Sequence, residues 1–328
     1  MSRPYGHFGH GYSASGARPT NVNQSGAGSI TGDNMTTTSK FVISDEELEG
    51  LIGQYTRDVT AVDRTGKFDP ITGRDEEIDL MTLILLQRLR KNVLLIGGPG
   101  VGKTALFIGL AQWINADKVP SLLRGARLIE LEMSTIGAGS QSRADLEGRL
   151  IPIVKGVAER NATHSRPPII FCIDEIHQLM LSFKASSFGG VADLMKPYLT
   201  VGDLFVVGAT TREEYEDYVK TDPAIDRRFQ KILLRTPDLA TTHRILMSMK
   251  MNFEKHYGIT ISKEACAKIV KATDRFLRSR NNPDKSILVL DLACARYVKN
   301  GGVDTLDDES IETAVAAEAG IDAAAVKV

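Results

Sequence analysis

A chain of 328 residues with 42% hydrophobic and 25% charged side chains is long enough for one or two hydrophobic cores and has the balance of an ordinary globular protein. Its 40 basic and 41 acidic residues leave a formal charge of -1, so the basic surplus behind generic nucleic-acid affinity is missing, although local basic patches remain open. No run approaches the roughly 18 consecutive apolar residues that membrane insertion needs.

Cys172, Cys266 and Cys294 are odd in number, far apart and embedded in apolar segments, with no Cys or His at metal-ligand spacing. That pattern predicts reduced, buried thiols. With no basic stretch and apolar h-region at the amino end, it also predicts a cytoplasmic protein.

Residues 1–40 are rich in Gly, Ser, Thr and Asn, with Tyr5, His7, Phe8, His10 and Tyr12 scattered near the start. Such a stretch cannot build a core and is read as a disordered low-complexity tail, with a tether docking through its aromatics as the second reading. Order is expected from about Ser44, where S-D-E-E places Glu47 three residues after a candidate N-cap.

From there the pattern alternates. The runs "NVLLIG", "ARLIELEM", "IIFCID", "LFVVGAT" and "KILLRT" read as buried strands, and "TALFIGLAQWIN" and "ADLEGRLIPIVKGVAE" between them carry helical periodicity. Alternating strands and helices predict an α/β layer on a mainly parallel sheet over residues 41–236. Beyond Pro237 the strand-like runs stop, and four helices are expected near 240–256, 262–277, 284–299 and 307–318, a smaller all-helical subdomain over 237–328. There is no internal repeat.

The first chemical signal is "VLLIGGPGVGKTALFIGLA", a strand, then Gly97, Gly98, Pro99, Gly100, Val101, Gly102, Lys103, Thr104 and Ala105, then a helix. This is a P-loop in its required context. Its glycines let backbone N–H groups cradle phosphate, the helix N-terminus favours negative charge, Lys103 reaches the β and γ phosphates, and Thr104 serves Mg²⁺. ATP with Mg²⁺ is the expected ligand.

The loop "GAGSQSRADLEGRL" follows the next strand. It reads as a small polar turn capping a helix, with Asp145 in the first turn and Leu146 and Leu150 at helical spacing.

"IIFCIDEIHQL" then ends a buried strand on Asp174 and Glu175. Two acids there are costly unless used; beside a P-loop the first would hold the Mg²⁺ shell and the second would orient the attacking water. In "LFVVGATTREEYEDYVKTDPAIDRRFQ" a strand runs through Thr210 and Thr211 into a helix and on to Arg227 and Arg228. Paired arginines are most often a solvated face, but a guanidinium that meets phosphate from outside would stabilise phosphoryl transfer.

In order, "FDPITGRDEEID", the P-loop, "CIDEIHQL", "VVGATTREEY", "IDRRFQ" and "NPDKSI" resemble the first ATPase module of the Clp disaggregases and unfoldases, ClpB most closely. The likeness spans about residues 53–325. It implies an AAA+ P-loop NTPase fold with a helical lid. It also implies Ile71 and Thr72 around adenine, Ile245, Pro283 and Asp284 facing base and sugar, and Thr210 as the sensor of the γ-phosphate. Arg227 and Arg228 would act in a neighbouring subunit's site, which implies a homo-oligomeric ring, usually a hexamer.

The departures from the family are informative. The amino-terminal substrate domain, the coiled-coil insertion and a second module are not seen, and "RSRNNPDK" lacks the G-A-R sensor motif, as first modules commonly do. Where the family's pore loop has a lysine, an aromatic, an arginine and a glycine, this chain has Gln141, Ser142, Arg143 and Ala144. The expected function is therefore a ring-forming ATPase that remodels or positions a specific protein partner without threading generic unfolded chains. Arg143, or a loop around Phe183 and Phe188, is the alternative source of grip; a nucleotide-switched scaffold is the alternative function, and a nucleic-acid motor is disfavoured by the neutral charge.

Overall fold

The computed structural model describes residues 43–140, 142–181, 195–199 and 202–327. The low-complexity tail, Gln141, Phe183, Phe188 and the side chain of Arg143 lie outside the described residues.

Helix α1 (Asp45–Tyr55) starts on the capping box of Ser44 and Glu47. It lays Leu48 and Ile52 on the long helix α5 (Arg143–Ala162), and does so closely, since a Cβ on Gly156 of α5 would stand 2.8 Å from Ile43 and 3.0 Å from Leu48. Helices α2 (Val59–Arg64), α3 (Asp75–Leu85) and α4 (Lys103–Asn115) complete the layers around the sheet.

The sheet has six strands in the order β1-β3-β4-β5-β2-β6: β1 (Arg57–Asp58), β2 (Asn92–Ile96), β3 (Arg127–Glu130), β4 (Ile169–Ile173), β5 (Phe205–Thr210) and β6 (Phe229–Leu233). All neighbours are parallel except β1 against β3. Strands β2, β4 and β5 are buried along their whole length, because helices cover both faces. Successive β2 residues alternate between two cores: Val93 and Leu95 meet Phe107 and Leu110 of α4, while Leu94 and Ile96 share the other core with Val154 and Val157 of α5. Truncating fully buried Phe107 to alanine costs about 3–5 kcal/mol.

Register decides what meets at one end of this sheet. Ile96 pairs with Thr210, and Ile173 pairs with Gly208, so the loop after β2, the acids after β4 and the threonines ending β5 emerge along the same edge. In open parallel sheets that edge is where ligands bind.

The four helices after Pro237 form a separate core from Leu246, Ile269, Leu290 and Ile311: α6 (Leu239–Tyr257), α7 (Lys263–Phe276), α8 (Asp284–Lys299) and α9 (Asp308–Ala319). Asp238, Ser262 and Asp307 cap three of them through their side chains.

All three cysteines are free and buried. Burial pushes the Cys266 thiol up to about 11 and Cys294 to about 12, and Cys172 well above the ordinary range, so none supplies a thiolate near neutral pH. Among the described residues no helix is long and apolar enough to cross a membrane.

Two local expectations change, and one strand appears that the sequence did not announce. The run "ARLIELEM" stops as a strand at Glu130: Leu131 still donates to Cys172, but the Glu132 carbonyl takes the N–H groups of Thr135 and Ile136, starting the short helix Met133–Gly137. The helix after Thr211 is broken into one turn (Arg212–Glu214), a π turn (Tyr215–Val219) and Pro223–Asp226. Strand β1 has only two residues, too few for a period to be read, and is fixed by the ion pair of Asp58 with Arg127 at 2.9 Å.

Candidate functional site

The P-loop has no freedom for side chains where its glycines stand. A Cβ on Gly97 would lie 2.8 Å from Val101 and 3.0 Å from Leu234, and Gly100 and Gly102 have φ of +73° and +94°. Lys103 folds back along the loop, its Nζ donating to the carbonyls of Gly97 (2.9 Å) and Gly98 (3.1 Å). Burial lowers its pKa below the usual lysine value, and the carboxylates of Asp174, Glu214, Glu175 and Glu213 act in the opposite direction.

Across the loop, Thr104 Oγ1 donates to Asp174 Oδ2 at 2.5 Å. Glu175 follows with φ +49°, a left-handed conformation that costs a non-glycine residue of order 1 kcal/mol and clusters at functional sites. Its N–H donates to Asp174 Oδ1 at 2.9 Å, and its carboxylate accepts from the Gln178 amide. Lys103, Thr104, Asp174, Glu175 and Thr210 all line one cavity of about 510 Å³.

Thr210 is almost wholly buried, at 1% exposure. Its hydroxyl donates to Glu214 Oε2 at 3.1 Å, with the His177 ring 3.3 Å away and His177 Nδ1 3.2 Å from the same carboxylate. Burial raises the Glu214 pKa, but the hydrogen bonds from Thr211 and Thr210 and the nearby His177 outweigh it and hold the carboxyl below the usual range. Neither His177 nor Glu214 figured among the residues expected from sequence. The available signal was T-x-x-E at Thr211 and Glu214, which is a capping box here.

Arg74 was also missed. It is 7% exposed, and its guanidinium joins the P-loop to the end of the sheet by donating to the carbonyls of Val101 (2.7 Å) and Arg235 (3.1 Å), with Glu77 at 2.6 Å holding its charge. A buried arginine in "TGRDEE" cannot be told from a surface one by sequence pattern.

The apolar end of the groove is a cavity of about 270 Å³ that contains Ile71, Thr72, Ile245 and Pro283 and shares Gly102, Ala105, Pro283 and Ile287 with the first. Gln112 of α4 fixes its wall, accepting from Ile71 N–H at 3.0 Å and donating to the Asp69 carbonyl at 2.9 Å. Asp284 lines the first cavity and not this one. The groove thus has a charged end, lined by Lys103, Asp174 and Glu175, that runs into an apolar end.

Arg227 and Arg228 are not brought to this groove. They precede β6, whose Phe229 pairs with Asn92 at the start of β2, roughly 13 Å along the strand from the P-loop end at about 3.3 Å per residue. Arg227 is exposed, with Nε donating to Pro223 at 3.0 Å, and Arg228 Nε is buried without a partner among the described residues.

The loop before α5 is used structurally. Ser142 is the N-cap, accepting from Asp145 N–H at 3.2 Å while the Asp145 carboxylate accepts from Ser142 N–H at 3.0 Å. Arg149 pins the preceding glycine turn through the carbonyls of Ile136 (2.9 Å) and Ala138 (2.6 Å).

Mg²⁺ favours oxygen ligands and is commonly held by one or two protein groups together with substrate phosphates. The Thr104 hydroxyl and Asp174 carboxylate fit that donor set. Among the described residues no group of three or more His, Cys, Asp or Glu is arranged to hold a metal alone.

Two family descriptions match. The ATPase family associated with various cellular activities (AAA) covers residues 93–236, and the AAA lid domain covers 238–324. Heat shock protein hsp98 of Neurospora crassa is 42% identical over 260 residues, 78% of this chain and 27% of that protein. The chaperone protein ClpB of Rickettsia typhi is 39% identical over 253 residues, 77% of this chain and 29% of that protein. The chain therefore spans less than a third of the length of these relatives. Among solved structures, Hsp104 with ATPγS and FITC-casein in its closed state superposes with a TM-score of 0.77 at 35% identity, covering 84% of this chain and 47% of that one. The ADP complex of Saccharomyces cerevisiae Hsp104 gives 0.74 at 36% identity over 82% and 45%.

Proposed function

The chain belongs to the AAA ATPases, carries the AAA lid and is homologous to the ClpB and Hsp104 chaperones, and on that premise we propose a ring-forming ATPase that hydrolyses ATP to remodel or position a specific protein partner. The observation that carries the ATPase reading is the meeting of Thr104 with Asp174, beside Lys103 and a strained Glu175, in one cavity.

In this reading Lys103 places its charge on the β and γ phosphates, and the N–H groups at the start of α4 share the load. Thr104 and Asp174 would hold Mg²⁺, which supplies charge neutralisation on the phosphates. Glu175 orients the attacking water. Ile71, Thr72, Ile245 and Pro283 take the adenine in the apolar end. Thr210 reports on the γ-phosphate through Glu214 and His177. Arg227 and Arg228, on the far side of their own site, serve the next subunit of a homo-oligomer, which we take to be a hexamer.

The restriction to a specific partner is supported by Ser142. A residue that caps a helix offers no aromatic face to an extended chain, so each subunit forgoes roughly 1 kcal/mol or more of contact. The test is capture with a Glu175→Gln variant under ATP. A defined partner retained only in the nucleotide-bound state supports the proposal, and indiscriminate retention of unfolded proteins overturns the restriction while leaving the ATPase intact.

A further inference from the structure

We infer that Asn281 is a positioning residue of the nucleotide site, a side-chain clasp through which the helical lid sets the direction of the P-loop peptides. The inference rests on the ATP-site reading above.

Its geometry starts from the loop carbonyls. Gly97 and Gly98 are held by Lys103, and Val101 by Arg74. The two carbonyls between them are held from the lid: Asn281 Nδ2 donates to Pro99 at 3.0 Å, and the backbone N–H of Asp284, unused at the first turn of α8, donates to Gly100 at 3.4 Å.

A trans peptide points its C=O and the following N–H in opposite directions. A donor fixed on the Pro99 carbonyl therefore fixes the N–H of Gly100, and the Asp284 contact does the same for Val101. These are backbone donors of the loop that lines the phosphate cavity. Their direction determines whether phosphate meets pre-aligned N–H groups or must first turn them.

The approach is possible only because the loop lacks side chains. A Cβ on Gly98 would stand 2.9 Å from Asn281 Nδ2, and one on Gly100 would stand 2.8 Å from Asp284 Cβ. The other end of the amide is also engaged, since Asn281 Oδ1 accepts from Thr236 Oγ1 at 3.1 Å, in the segment joining β6 to the lid. One amide thus ties the loop, the connecting segment and the lid together. An amide is required for this, since one end must donate to a carbonyl while the other accepts from a hydroxyl.

The test measures the dissociation constant of a fluorescent ADP analogue with Mg²⁺ on the full chain, for wild type, Asn281→Ala, Asn281→Asp, Thr236→Val and a control, Asn300→Asp, at the far end of α8. Loss of one net hydrogen bond predicts about three- to tenfold weaker binding for Asn281→Ala. Asn281→Asp should be weaker still, because its carboxylate oxygen faces the Pro99 carbonyl oxygen. Thr236→Val is expected to weaken binding about twofold or more, and Asn300→Asp to leave it unchanged. The Gly100 amide should exchange hydrogen faster in Asn281→Ala at an unchanged thermal midpoint, a readout that a merely structural role would not give.

Binding within twofold of wild type in both Asn281 variants, with wild-type binding intact, would overturn the clasp alone. If Asn281→Ala does not fold, Thr236→Val decides in the same way. Wild-type protein that binds no nucleotide would overturn the ATP-site reading and the clasp together.

Discussion

The hydroxyl of Thr104 lies 2.5 Å from the Asp174 carboxylate, although 70 residues separate them in the chain. Parallel register brings them together: β5 stands between β2 and β4, so both strand ends open onto one cavity. If the pair shares one Mg²⁺, Asp174→Asn and Thr104→Ala should each raise the Mg²⁺ concentration for half-maximal turnover, by about tenfold or more for the lost carboxylate charge. A magnesium titration of steady-state ATPase checks this, and an unmoved midpoint in both variants removes them from the metal shell.

Lys103 and Glu175 predict opposite phenotypes. Lys103→Ala removes the charge proposed to meet the phosphates and should abolish measurable nucleotide binding. Glu175→Gln keeps the loop and the metal donors, so it should bind ATP at near wild-type affinity while turnover falls by about two orders of magnitude or more. Nucleotide titration beside steady-state ATPase separates the two, and normal turnover in the glutamine variant would remove Glu175 from its role.

Alkaline pH offers a test of the segment that carries the arginines. Tyr215 donates to Asp226 at 3.0 Å, one residue before Arg227; burial, then this hydrogen bond and the nearby carboxylates, pushes the phenol up to about 12. Tyr257, donating to Asp291 at 2.6 Å, is likewise raised to about 12. A raised folded-state pKa means that the stabilisation is fully present below the ordinary tyrosine value of 10 and is lost as pH climbs through 12. Urea unfolding between those limits should show wild-type stability falling with pH. The fall should be shallower in Tyr215→Phe and Tyr257→Phe and shallowest in the double variant. Equal slopes in all four proteins would contradict the raised values.

Much of the fold was legible because its signals are local. Buried strands read as unbroken apolar runs, four lid helices follow the 3.6-residue period closely, and the glycines at 97, 100 and 102 declare a phosphate loop by spacing alone. What escaped depends on contacts distant in sequence. Arg74 reaches Arg235 across 161 residues, Asn281 reaches Pro99 across 182, and His177 meets Glu214 only because β4 and β5 are neighbours. None of these leaves a periodic trace. The two-residue β1 and the π turn at Tyr215–Val219 were missed for the complementary reason, since each is shorter than the period that would announce it.

The placement of Arg227 and Arg228 at the opposite end of β6 from the P-loop predicts complementation between subunits. A variant with both arginines changed to alanine should hydrolyse ATP poorly, as should Lys103→Ala. Mixed together, they should recover part of the activity, because some interfaces then pair an intact P-loop with intact arginines. Turnover per subunit in the wild type should rise with protein concentration over the range in which sedimentation shows assembly. Full-rate hydrolysis by a strictly monomeric form would show that the arginines are not needed in trans.

Ser142 yields the sharpest test of the proposed restriction to a specific partner. Its side chain is committed to the Asp145 N–H, so Ser142→Ala should cost about 1 kcal/mol of stability, while Ser142→Thr keeps a capping hydroxyl and should cost little. Ser142→Tyr loses the same cap but adds an aromatic face where the resembling family grips an extended chain. Two readouts therefore separate structure from function: urea unfolding should rank alanine and tyrosine together below wild type, whereas ATP-dependent unfolding of an unrelated tagged substrate should be absent in wild type and in alanine and appear in tyrosine. Robust unfolding by the unmodified protein with no partner added would show that another part of the chain supplies the grip, and the restriction to a specific partner would fall.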